Sequence, residues 1–140
     1  MPLNGFKSEC DERAPKIVSK DNRNPQKHIA LNVDRNKVNH YSIDGNVICS
    51  GNRCDYLLMN EDKMDAYLIE LKGSDLCHAA KQLEETENIL KRKLEEYNIY
   101  YRIVANKCKT QEIETSEFKK YKKRWKNKLK YKSISFEENI

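Results

Sequence analysis

Three charged side chains stand in apolar company in the middle of this chain. Asp55 lies in Cys54-Asp55-Tyr56-Leu57-Leu58, and Glu70 and Lys72 lie in Tyr67-Leu68-Ile69-Glu70-Leu71-Lys72. Charge inside an otherwise apolar strand costs stability unless it is solvated, paired or used. Two carboxylates and an amine brought together could work on a charged substrate. They could equally form a salt-bridged trio on a solvated face, and spacing alone does not separate the two readings.

What must position them is a pair of strands. Cys54–Met59 and Ala66–Lys72 are joined by the polar stretch Asn60–Asp65. An antiparallel hairpin centred between Asp62 and Lys63 opposes residues whose positions add to 125. Met59 then meets Ala66, Leu57 meets Leu68, and Asp55 meets Glu70, with opposed side chains on one side of the sheet. Lys72 shares the side of Glu70, while Tyr67, Ile69 and Leu71 take the other. A shift of one residue would part Asp55 from Glu70.

The flanking segments read as follows. Residues before Val38 carry few signals; a short N-terminal helix before Pro15 and a loop over Asp21–Gln26 are expected. Val38–Ile43 alternates and ends at Asp44-Gly45, a hairpin turn, and Val47–Ser50 returns to a turn at Gly51-Asn52. Ser74 is placed as a helix N-cap with Asp75 in the first turn, followed by a stripe of Leu76, Ala80, Leu83, Leu90, Leu94 and Tyr97 broken at Glu87. Ile99–Ala105 reads as a buried strand. Ser116 is expected to cap a last helix over 117–131, with Phe118, Tyr121, Trp125 and Leu129 as its apolar stripe, and Ile134–Phe136 a short edge strand. Helices must cover a sheet, so the fold class is α/β or α+β in one domain over 1–140.

Asp55, fourteen intervening residues, then Glu70-Leu71-Lys72 resembles the D-x(n)-(D/E)-x-K signature of the PD-(D/E)xK, restriction-endonuclease-like nucleases. The order helix, three strands, helix, strand over residues 5–105 is similar to that family's αβββαβ core, a mixed central sheet flanked by helices. The basic helix at 117–131 lies outside it. Cys54 stands where the family often has proline. The resemblance implies a metal-dependent nuclease, with DNA the favoured substrate and RNA admitted. In it Asp55, Glu70 and the backbone carbonyl of Leu71 hold Mg²⁺ or Mn²⁺, hard cations that prefer oxygen donors. The metal activates water and stabilises developing charge, and Lys72 orients the water or offsets that charge. Family members often add a glutamate from the first helix, here Glu9 in preference to Glu12, and a glutamine on the helix after the motif, here Gln82. Gln82 shares a polar face with Asp75, His78 and Glu85, so an ordinary solvated face is the competing reading, and a surface role competes for His78. Many such nucleases work as dimers, so a homodimer is among the expected assemblies.

Composition bears on partners. The 140 residues include 27 Lys and Arg against 22 Asp and Glu, a net charge of +5 that biases the chain mildly toward polyanions. From Phe118 to Lys132 the cations run without an acid, and Lys119, Lys122, Lys123 and Lys126 are the candidates for contacting a nucleic-acid backbone. A solvated helix face is the alternative. There is no bilayer-length apolar run and no signal-peptide pattern, so a cytoplasmic protein without membrane contact is expected. Five cysteines suit free thiols; zinc held by Cys49 and Cys54 with Cys10 or His40 is the lesser reading. No phosphate-binding glycine loop or Ser-His-Asp pattern is present. Two other functions compete with the nuclease: a non-catalytic nucleic-acid- or protein-binding module on the same fold, and a helical interaction protein whose Phe118–Leu129 stripe docks a partner.

Overall fold

Long apolar runs and short alternating ones build different sheets. The computed structural model describes residues 3, 5–43, 54–71 and 75–140. In chain order the strands and helices are β1 (Lys16–Lys20), β2 (Lys27–Leu31), β3 (Val38–Ser42), β4 (Tyr56–Asn60), β5 (Asp65–Glu70), α1 (Leu76–Leu90), β6 (Asn98–Ala105), α2 (Thr110–Ile113), α3 (Ser116–Trp125), β7 (Leu129–Ser133) and β8 (Ser135–Asn139). A single 3₁₀ turn over Lys126–Lys128 separates α3 from β7. The protein is therefore α/β, with two mixed sheets.

The larger sheet has the order β3-β4-β5-β6-β7. Its first two pairings are antiparallel and its last two parallel. β4 and β5 are buried along almost their whole length, as strands covered on both faces must be. On one face lie α1 and α3, which bring Leu76, Ala80, Leu83, Phe118 and Trp125 onto Leu57, Met59, Leu68 and Ile103. Trp125 stacks on Tyr101 with ring centroids 3.9 Å apart. On the other face Ile17, Ala30 and Phe136 of the smaller β1-β2-β8 sheet meet Leu58, Tyr67, Ile69, Leu71 and Val104. Burying each large apolar side chain contributes about 1.5–3 kcal/mol.

The chain passes between sheets at Ile134, whose φ of 68° is unusual for a β-branched residue. Its N–H donates to the Ala105 carbonyl and its carbonyl accepts from the Lys27 N–H, so both sheets hold the corner. Arg102 ties the same seam. It is almost fully buried in β6 and donates through Nε (2.7 Å) and Nη2 (3.1 Å) to the two oxygens of Glu138 on β8. Its Nη1 reaches the carbonyls of Tyr101 and Lys128. His28 Nε2 adds a 2.6 Å bond to Glu138.

The three strands, helix and strand expected from Val38 to Ala105 are present. Several details differ. Among the described residues no helix precedes Pro15; residues 5–15 are irregular and the chain enters a hairpin of β1 and β2. α1 is capped by Asp75, whose carboxylate accepts from the His78 N–H at 3.0 Å, and it ends at Leu90, with Leu94 and Tyr97 still buried beyond it. α3 is capped by Thr115, not Ser116, and stops at Trp125. Leu129 keeps its buried place from a strand, not from a helical turn. The expected edge strand is longer, Ser135–Asn139, and pairs parallel with β2. The Asp44-Gly45 turn, Val47–Ser50, Gly51-Asn52, Lys72 and Ser74 lie outside the described residues.

Candidate active site

The β4–β5 ladder runs in the register expected from the sequence, with Met59 opposite Ala66, Leu57 opposite Leu68 and Tyr56 opposite Ile69. Beyond that last pair it departs from regularity. The Asp55 N–H donates to the Ile69 carbonyl at 3.0 Å, one residue short of Glu70. The Asp55 carboxylate in turn accepts from the Leu71 N–H at 2.9 Å, and the Asp55 carbonyl accepts from Ile43 at 2.8 Å. Asp55 is thus clamped between the ends of β3 and β5.

This displacement separates the two carboxylates by environment. Glu70 lies two residues beyond Leu68 on the same face, pairs with Ile103, and so takes the helix side of the sheet, where it is fully buried. Asp55 is half-buried and lines an open cleft of about 320 Å³ on the side of the smaller sheet. Leu71, Ser42 and Tyr56 share that cleft, and so do Lys20 at the end of β1 and Asp21, Asn22 and Arg23 from the β1–β2 loop. The two acids remain electrostatic neighbours. Burial first, then the charges of Glu70 and Asp55, push the Cys54 thiol well up, so Cys54 stays protonated at pH 7.

The helix supports the approach to Asp55. Thr86 on α1 accepts the Cys54 N–H at 2.8 Å and donates to the Gln82 carbonyl at 2.8 Å. Gln82 is buried on this same helix face, so the polar face expected for α1 is divided: Asp75 and His78 are exposed, Gln82 faces inward. Thr86 had no sequence signal beyond its place one turn after Gln82.

Glu9 reaches the same region from an irregular segment instead of a helix. Its carboxylate accepts from the Ser42 N–H at 3.0 Å, and its N–H donates to the His40 carbonyl at 2.7 Å. Burial, followed by the charges of Glu9 and Asp55, raises the Tyr56 hydroxyl, so both acids flank that ring. Glu12 instead pairs with Lys37 at 3.5 Å in an exposed bridge. Beneath Tyr56, His40 stacks on the ring at 4.9 Å and bonds Ser19 Oγ at 2.8 Å. Burial holds His40 down to about 4, so it is neutral at pH 7.

Among the described residues no three His, Cys, Asp or Glu side chains gather as a metal cluster. Cys49 and Lys72 lie outside the described residues, and Cys10, Cys54, Cys77 and Cys108 are free. On α3, Lys119 and Lys123 are exposed and Lys122 is half-exposed, with Lys119 in a 3.1 Å surface bridge to Glu114; Lys126, in the 3₁₀ turn that follows, is exposed. Phe118 and Trp125 are consumed by the core, which removes the reading of that stripe as a docking face. No described helix is long and apolar enough to cross a membrane. Comparison with known proteins finds no matching family model, no matching curated protein and no matching solved structure.

Proposed function

We propose that this protein is a divalent-cation-dependent phosphodiesterase that cuts nucleic acid, DNA foremost, at the Asp55 cleft. The observation that carries the reading is the meeting of Asp55 with the end of β5. A partly exposed carboxylate and the backbone of Leu71 face one cleft, with two cationic residues in the same wall. That donor set suits Mg²⁺ or Mn²⁺, since Mg²⁺ is commonly held by one or two carboxylates while substrate phosphate and water complete its shell. When bound, the cation would polarise the phosphodiester and lower the pKa of attacking water.

The chain's own part is positional. Asp55 is fixed by the Leu71 N–H and lines the cleft. Glu70, the second ligand that the resemblance implies, is buried on the helix side of the sheet. Lys72, two residues past Glu70, is assigned to orient water or offset negative charge on the phosphate. Gln82 is assigned to the buried support of Glu70, and Glu9 to the rim beside Ser42. The α3 lysines would add sequence-independent backbone contacts.

A second reading is favoured by one observation. Glu70 has no exposed surface, and a carboxylate sealed from solvent does not ligate an ion without some rearrangement. On that reading the cleft binds nucleic acid without cutting it. An assay on linear, supercoiled, single-stranded and branched DNA and on RNA, with Mg²⁺, Mn²⁺ or EDTA, separates the two. Asp55→Asn is the chosen variant because an amide oxygen can still accept from Leu71 while the charge is lost. The expected result is cutting that needs the cation and falls about 10²-fold or more in Asp55→Asn and in Lys72→Ala. A wild type that binds DNA but never cuts, under any of these conditions, transfers the assignment to the binding module.

A further inference from the structure

We propose that Lys20, at the end of β1, and Arg23, on the loop joining β1 to β2, form the arm that grips the phosphate backbone of nucleic acid entering the Asp55 cleft, a role that rests on the phosphodiesterase reading. Both are exposed and both line the cleft that holds Asp55 and Leu71. A cleft whose working group is a carboxylate repels a phosphodiester unless nearby cations offset its charge. Lys20 and Arg23 offset the charges of Asp55 and of Asp21, which lines the same cleft with its carboxylate already engaged by the loop, and the Asn22 side chain in that wall can donate a neutral hydrogen bond.

The loop is already shaped for the task. The Asp21 carboxylate accepts from the Arg23 N–H at 2.8 Å and from Asn24 Nδ2 at 3.2 Å, which closes a tight turn. The Tyr56 hydroxyl, from β4, donates to the Lys20 carbonyl at 2.8 Å. Tyr56 itself is backed by His40, and His40 by Ser19 on β1. A chain of contacts therefore fixes the backbone of Lys20 to the strand that leads out of Asp55. Only the two long side chains have to be ordered on binding, which keeps the entropic cost low.

The arm also differs in place from the basic helix. α3 packs on the face of the larger sheet that carries α1, whereas the loop belongs to the smaller sheet on the opposite face. Backbone contacts at the cleft and contacts at α3 are thus separable by mutation.

The test is fluorescence anisotropy with labelled 20-mer single-stranded and duplex DNA in EDTA, where no cutting can occur. Lys20→Gln/Arg23→Gln is expected to bind about tenfold or more weakly than wild type, and the slope of log K against log[salt] should become shallower by about 1.4–1.8, the value for two lost phosphate contacts. Lys20→Arg/Arg23→Lys, which keeps the charge, should restore most of the affinity. Thermal melts should coincide, since both side chains are exposed. A loop double variant with wild-type affinity and slope overturns the proposal, as does a wild type that binds no DNA. A wild type that binds through the loop yet never cuts leaves the arm standing and removes only the phosphodiesterase reading. A wild type that cuts, with an unchanged KM in the loop variant, removes only the arm.

Discussion

Replacing Arg102 by methionine keeps most of the side chain's volume but strips Glu138 of two hydrogen bonds and its counter-charge. In the native fold, burial raises the Glu138 carboxyl, and hydrogen bonds from His28 and Arg102 with the Arg102 charge more than reverse that, bringing it down to about 2 from 4.5. At about 1.36 kcal/mol per unit, a difference of 2.5 units corresponds to about 3 kcal/mol of folding stability. Because the folded carboxyl is the stronger acid, this contribution is complete above pH 4.5 and is lost as pH falls toward 2. Breaking a buried pair by removing one partner typically costs about 3–5 kcal/mol, in agreement with that figure. Arg102→Met also leaves the carbonyls of Tyr101 and Lys128 without their donor. Urea denaturation at pH 7, 4.5, 3 and 2.5 measures both effects. The variant should lose about 3–5 kcal/mol at pH 7, a large share of the about 5–15 kcal/mol of an ordinary domain. The gap to wild type should then narrow below pH 4.5. A variant within about 1 kcal/mol of wild type at pH 7, or a gap that stays constant down to pH 2.5, would refute the argument that this pair locks the two sheets.

Two further predictions concern the supports of the cleft. His40 is held near 4 by burial, with the Glu9 charge opposing, so the unfolded chain takes up a proton before the folded one as pH drops. The His40 contribution, about 3 kcal/mol by the same conversion, is complete above pH 6.5 and lost between 6.5 and 4; an NMR titration should find the ring neutral at pH 5, and a midpoint near 6.5 would contradict its burial against Tyr56. Thr86→Val leaves the buried Cys54 N–H without its acceptor and should cost about 1–3 kcal/mol, with Thr86→Ser close to wild type in the same urea titration. Equal stability of Val and Ser would show that the hydroxyl does not hold the strand leading into Asp55.

The parts of the fold that could be read from sequence are those where polarity and position agree. Asn60–Asp65 is polar between two apolar strands, so the centre of the hairpin, and with it the pairing of Met59 with Ala66 and Leu57 with Leu68, followed directly. β1 was illegible for the opposite reason. In Lys16–Lys20 the side chains turned inward are Ile17 and the polar Ser19, bonded to His40, while Val18 faces solvent. A polarity pattern half inverted by a distant hydrogen bond cannot be recovered from the segment alone. The end of α3 failed differently. Phe118, Tyr121, Trp125 and Leu129 fit helical spacing straight through the boundary, and the break falls on Lys126, whose φ of 52° carries no glycine to announce it. Arg102 could be seen as a charge in an apolar strand, but its partner lies 36 residues away on another sheet.

The same logic explains why the site was legible in position and not in depth. Regular pairing carries Asp55 toward Glu70 as far as the last rung, Tyr56 with Ile69, and there the ladder stops constraining the chain. Past that point the Asp55 N–H bonds to Ile69 and its carboxylate to the Leu71 N–H, which turns Asp55 into the cleft while Glu70 continues the alternation into the core. One backbone offset thus gives two acids, adjacent in the register, opposite surroundings: one bordering an open cleft, the other sealed in the core. On the proposed chemistry, Asp55→Asn should weaken cation binding more than Glu70→Gln does, since the half-buried Asp55 borders the cleft and Glu70 has no exposed surface. Calorimetric titration of Mn²⁺ into the two variants gives the order, and a larger loss in Glu70→Gln would mean that the cation enters from the helix side.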